Sequence, residues 1–124
     1  MGQKVAVLGA STKPDRYSYK AFKMLKEYGH DPLPVSPKTG DIEGTKFVAS
    51  LKDLSGPVDT LTMYVGPEVS TKLENEILKL NPKRVIFNPG SENPNLESSL
   101  EKAGVHVVEA CTLVLLRTNQ FNDA

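Results

Sequence analysis

Residues Lys4 to Leu8 read Lys-Val-Ala-Val-Leu, an apolar run with no polar alternation after the first residue. Such a run suits a strand buried on both faces, the form strands take inside parallel sheets. It stops at Gly9-Ala10-Ser11-Thr12, and helical spacing starts near Ser18. Gly9 permits the tight turn, while nearby backbone N–H groups and the helix N-terminus favour an anion. A strand that ends this way is a place to hold phosphate.

The same alternation continues along the chain. Ser18, Ala21, Phe22, Leu25 and Tyr28 fall on one helical face, and Gly29 stops that helix. A short strand over 30–35 carries Pro32 and Pro34, and a weak third strand is expected around 45–48. One helical turn is expected over 50–54, then a strand over 59–65. Pro67 opens a helix whose Val69, Leu73, Ile77 and Leu80 share a face. A strand over 84–87, a polar loop over 88–95 and a helix with Leu96, Leu100 and Ala103 inward come next. A last strand over 105–108 and a terminal helix over 110–118 complete the order. Strand alternating with helix predicts an α/β domain of three layers around a parallel sheet of about five strands. Ligands of such sheets sit beyond the carboxyl ends of the strands, which singles out loops 9–17, 36–44, 65–68, 88–95 and 109–112.

The whole chain, residues 1–124, fits one domain. Lys+Arg and Asp+Glu both total 15, so no global field recruits nucleic acid or an anionic membrane. Any phosphate site must be local. The start of the chain carries no signal-peptide pattern, and the 105–116 apolar stretch, broken by Glu109, is too short to span a bilayer. One cysteine excludes an intrachain disulfide and suits a reducing cytoplasm.

The first loop is not a dinucleotide fingerprint, since Ser11 and Pro14 stand where G-x-G-x-x-G needs glycine. Ser11 and Thr12 instead offer hydroxyls beside the backbone N–H groups, with Lys13 and Arg16 adding charge. A NAD site places an acid after the second strand; here the chain reads Val35-Ser36-Pro37-Lys38. A cation there suits a phosphorylated ribose, which both NADP and coenzyme A carry.

Gly9-Ala10-Ser11 with Arg16, Val35-Ser36-Pro37-Lys38, Pro67-Glu68 and Cys111 together resemble the CoA-binding domain family. Its members are small Rossmann-like proteins similar to the N-terminal domain of the succinyl-CoA synthetase alpha subunit. The likeness runs from Lys4 to about Arg117. It implies a Rossmann-like fold with coenzyme A across the strand ends. Gly9, Ser11, Thr12 and Arg16 would serve the phosphates, Ala10 lying in the same loop. Ser36, Pro37 and Lys38 would serve the 3′-phosphate end, and Tyr64, Val65 and Pro67 would flank adenine or pantetheine. Asn88, where the polar loop begins, completes the expected set. Ser36 replaces the family's frequent Asn, and Val65-Gly66 precede Pro67 where a basic residue is frequent.

No catalytic constellation is visible. His30 and His106 lack an acid or nucleophile at motif spacing, and two histidines with one cysteine make a poor metal set. Cys111 fits a small packing residue, with a mixed disulfide to the CoA thiol as its alternative. The expected function is therefore non-catalytic binding of CoA or an acyl-CoA. The alternatives are an NADP- or acyl-CoA-dependent enzyme subunit completed by a partner, and a regulatory protein that has lost its ligand. In the last case the Leu113–Leu116 run would serve a homodimer interface.

Overall fold

The computed structural model describes residues 2–124. Strands β1 (Lys4–Leu8), β2 (Asp31–Val35), β5 (Thr60–Met63), β6 (Arg84–Phe87) and β7 (His106–Glu109) form one sheet in the order β2-β1-β5-β6-β7. Every pairing in it is parallel. The α/β, Rossmann-like architecture read from the alternation is the observed one. The expected strand at 45–48 lies outside this sheet. Its place is taken by a two-residue antiparallel hairpin, β3 (Asp41–Ile42) with β4 (Thr45–Lys46), followed by a single bridge from Val48 to Val35. Two-residue strands flanked by Gly40 and Gly44 are too short to compete for a sheet position.

Consecutive residues of β1 serve opposite faces, because strand side chains alternate. Ala6 and Leu8 pack with Ile77, Leu96 and Leu100 from α3 (Glu74–Leu80) and α4 (Pro94–Lys102). Val5 and Val7 pack on the other face with Leu25 of α1 (Tyr17–Glu27) and Leu115 and Leu116 of α5 (Thr112–Arg117). All these strand and helix side chains are buried, and each Val, Leu or Ile among them contributes roughly 2 kcal/mol of transfer free energy. The Leu113–Leu116 run thus belongs largely to the core, and Val114 alone of the four is exposed.

The helix expected to run from Pro67 to Leu80 breaks at Leu73 into α2 (Pro67–Lys72) and α3. The break lets α2 turn Ser70 inward, where its Oγ accepts a 2.9 Å hydrogen bond from Asn93 Nδ2. Val69 is consequently exposed rather than on the shared face. Tyr28 and Ala103 also end up exposed, because each caps the end of its helix instead of lying within it.

At the amino ends of the strands, the buried Arg84 gathers both ends of the described chain. Its Nε donates to Thr60 Oγ1 (3.1 Å), Nη2 to Gln3 Oε1 (3.3 Å), and Nη1 to the main-chain oxygens of Phe121 and Ala124. Its guanidinium also lies 4.5 Å from the centre of the Phe121 ring. His30 closes the same corner: its Nδ1 accepts the Gln3 N–H at 3.0 Å and its ring lies 4.8 Å from that of Phe121. Among the described residues no helix is long and apolar enough to cross a membrane.

Candidate functional site

The order β2-β1-β5 makes the gap between β1 and β5 the switch point, where successive connections leave in opposite directions. A cleft of about 560 Å³ opens there at the carboxyl ends. Its walls come from the loops after β1 (9–13, 16–18), β2 (36, 38, 39), β5 (64–66) and β6 (89–91), with Phe47 added from beyond the hairpin. Of the expected residues, Gly9, Ala10, Ser11, Thr12, Arg16, Ser36, Lys38, Tyr64 and Val65 line it. Pro37, Pro67 and Asn88 do not.

Gly9 has φ +92°, and a Cβ there would stand 2.9 Å from both Tyr64 O and Val65 Cγ1. Two loops approach too closely for a side chain. The Gly9 and Ala10 N–H groups both donate to Val35 O, at 3.0 and 3.1 Å. They tie the turn to β2. The next amides, of Ser11 and Thr12, have no partner among the described residues. Ser11 Oγ accepts the Lys13 N–H at 3.1 Å, which leaves its own proton to donate. Helix α1 starts nearby with no side-chain cap and no acid in its first turn. Its first N–H groups thus have no side-chain cap.

After β2, Ser36 is buried; its N–H donates to Val48 O (2.9 Å) and its Oγ accepts the Lys38 N–H (3.2 Å). That local turn sets the exposed Lys38 on the rim. Lys13, Arg16 and Lys38 bring three cations to the cleft, and no Asp, Glu, His or Cys lines it. None of the three pairs with a carboxylate among the described residues.

On the β5 side, Tyr64 closes the floor. Burial pushes its hydroxyl up to about 12, opposed by the neighbouring Thr112 and Thr62 hydroxyls. Those two bond to each other at 2.8 Å, and the Tyr64 hydroxyl makes no well-formed hydrogen bond of its own. Asn88 sits beneath the cleft as a clamp. Its Nδ2 donates to Thr62 Oγ1 (2.7 Å) and Met63 O (2.8 Å), while its Oδ1 accepts the Thr112 N–H (2.9 Å). With donors and acceptor so used, it joins β5, β6 and α5 rather than facing the opening. Cys111, half-buried ahead of α5, also lies outside the lining.

Sequence reasoning missed Phe47, whereas Thr39 and the Pro89–Ser91 turn fall in the singled-out loops 36–44 and 88–95 without having been named as contacts. Phe47 fell inside the expected strand, and only the flanking Gly40 and Gly44 hinted at a hairpin that would turn it towards the cleft.

Over residues 3–117 the sequence matches the family described as CoA binding domain. The chain belongs to that family. This CoA-binding-domain chain is 28% identical over 106 residues to the uncharacterized protein YneT of Bacillus subtilis (strain 168), covering 86% of this chain and 78% of YneT. It is 39% identical over 69 residues to the alpha subunit of ADP-forming acetate–CoA ligase II of Pyrococcus furiosus. That match covers 55% of this chain but 15% of the ligase subunit. A crystal structure of an uncharacterized protein superposes with TM-score 0.92 at 41% identity, covering 98% of this chain and 99% of that one.

Proposed function

We propose that the cleft binds coenzyme A or an acyl-CoA and supplies no catalytic group of its own. One observation carries this reading: three unpaired cations, two free amides and an uncapped helix start surround one cleft that holds no carboxylate. In a chain of zero net charge, that concentration calls for a polyanion. The membership of a CoA-binding family and the likeness to a CoA ligase subunit select coenzyme A among polyanions.

The Ser11 and Thr12 amides, the start of α1, Lys13 and Arg16 would hold the diphosphate. Lys38 would hold the ribose 3′-phosphate, and Val65 with the Pro89–Ser91 turn would flank the uncharged pantetheine arm. Pro37, Pro67 and Asn88 have supporting rather than contacting roles in this arrangement. The lining offers hydroxyls, amides and cations but no imidazole, thiol or carboxylate to serve as base or nucleophile.

Thermal denaturation tests the assignment. A ligand at a hundred times its Kd stabilises by about 2.7 kcal/mol, worth roughly 10 °C in a domain of this size. CoA should raise the Tm more than 3′-dephospho-CoA, and Lys38→Ala should abolish that difference. Equal shifts in the parent protein would remove Lys38 from the 3′-phosphate. A larger shift with NADPH than with CoA would replace the cofactor.

A further inference from the structure

We propose that Phe47 is the platform on which the cleft stacks a purine base, an inference that rests on the coenzyme A reading above. Phe47 is half-buried and lines the cleft. It packs against Ala10, Phe22 and Ile42, a small cluster separate from the two main cores. The ring therefore has one supported side and one side on the opening. The β3–β4 hairpin exists outside the sheet, and its buried Ile42 anchors this cluster. The Phe47 N–H donates to Gly40 O at 2.9 Å, and a Cβ on Gly40 would stand 3.1 Å from the ring and 2.8 Å from Thr12 Cγ2. Hairpin, glycine and ring thus form one packed unit that presents an aromatic surface to the cleft.

Position decides what that surface meets. Phe47 shares the β2 side of the cleft with Ser36, Lys38 and Thr39, whereas the pantetheine arm is assigned to the loops after β5 and β6. A group attached to a phosphorylated ribose at Lys38 lies beside Phe47, and in coenzyme A that group is adenine. The other two aromatic rings of the cleft fit worse. Tyr17 is 67% exposed, with Lys20 Nζ 5.6 Å from its ring centre, and Tyr64 is committed to the floor. Stacking needs a rigid face and no hydrogen bond, which suits phenylalanine.

Calorimetric titration of CoA, adenosine 3′,5′-bisphosphate and 4′-phosphopantetheine into the parent protein, Phe47→Leu and Phe47→Tyr tests it. Leucine keeps an apolar side chain against Phe22 and Ile42 but removes the aromatic face. It should weaken CoA and the bisphosphate about tenfold each and leave 4′-phosphopantetheine unchanged, while tyrosine restores the parent affinities. Unchanged binding of the bisphosphate by Phe47→Leu, or equal losses for all three ligands, would overturn the assignment. If the parent protein binds the bisphosphate with a Phe47-dependent affinity but not CoA, Phe47 stands and the coenzyme A reading falls. If it binds none of the three, both fall.

Discussion

Asn88 shows how a single side chain can underlie the cleft without facing it. The sequence placed it at a strand end, where binding residues of parallel sheets gather, and strand ends also need polar groups to satisfy the backbone that leaves the sheet. Nothing in the local pattern separates these uses, because the partners Thr62, Met63 and Thr112 are 24 to 26 residues away. Asn88→Ala would leave the Met63 carbonyl and the Thr112 amide buried without their partner. It should cost about 3 kcal/mol in urea denaturation. A loss below about 1 kcal/mol would mean that water replaces the side chain. By contrast, Ser11, Thr12, Arg16 and Lys38 were readable as cleft residues, because their neighbours in sequence are also their neighbours in space.

At the level of elements, the sheet was the most legible part. β1 announces itself through an uninterrupted apolar run, the other four strands through shorter apolar stretches between turn residues, and Gly or Pro punctuates most of the helices. What escaped were features decided by contacts distant in sequence: the hairpin, the break at Leu73 and the route of Phe47 to the cleft. The turn from β1 into α1 offers a direct test of why its glycine is needed. Gly9 and Gly44 both have positive φ, at +92° and +87°. Only Gly9 faces backbone within 3 Å of where a Cβ would go; Gly44 meets nothing within 4 Å. Gly44→Ala should therefore cost about 1 kcal/mol of conformational strain, and Gly9→Ala roughly 2 kcal/mol more. Equal losses in chemical denaturation would show that the approach of the β5 loop is unimportant.

For the molecule as a whole, the cluster around Arg84 links stability to pH. Burial, followed by the charge of Arg84, lowers the pKa of His30 from its ordinary 6.5. The unfolded chain therefore binds a proton more readily than the folded one. Stability is complete above 6.5 and declines as pH falls towards the lower folded value. His30→Gln, which stays neutral, should flatten urea midpoints across that window; an unchanged slope would assign the titration elsewhere. The same cluster has a topological consequence. Gln3 Nε2 reaches Asn122 Oδ1 at 3.1 Å, on the side of the sheet opposite the cleft. Among the described residues the path of the chain is nearly a closed ring with its gap turned away from the cleft. A circular permutant that joins those segments through a short linker and opens at the exposed Gly56 should keep the cleft whole. By the same geometry, a neighbouring domain can be grafted at either side of the gap and leave the mouth of the cleft unobstructed.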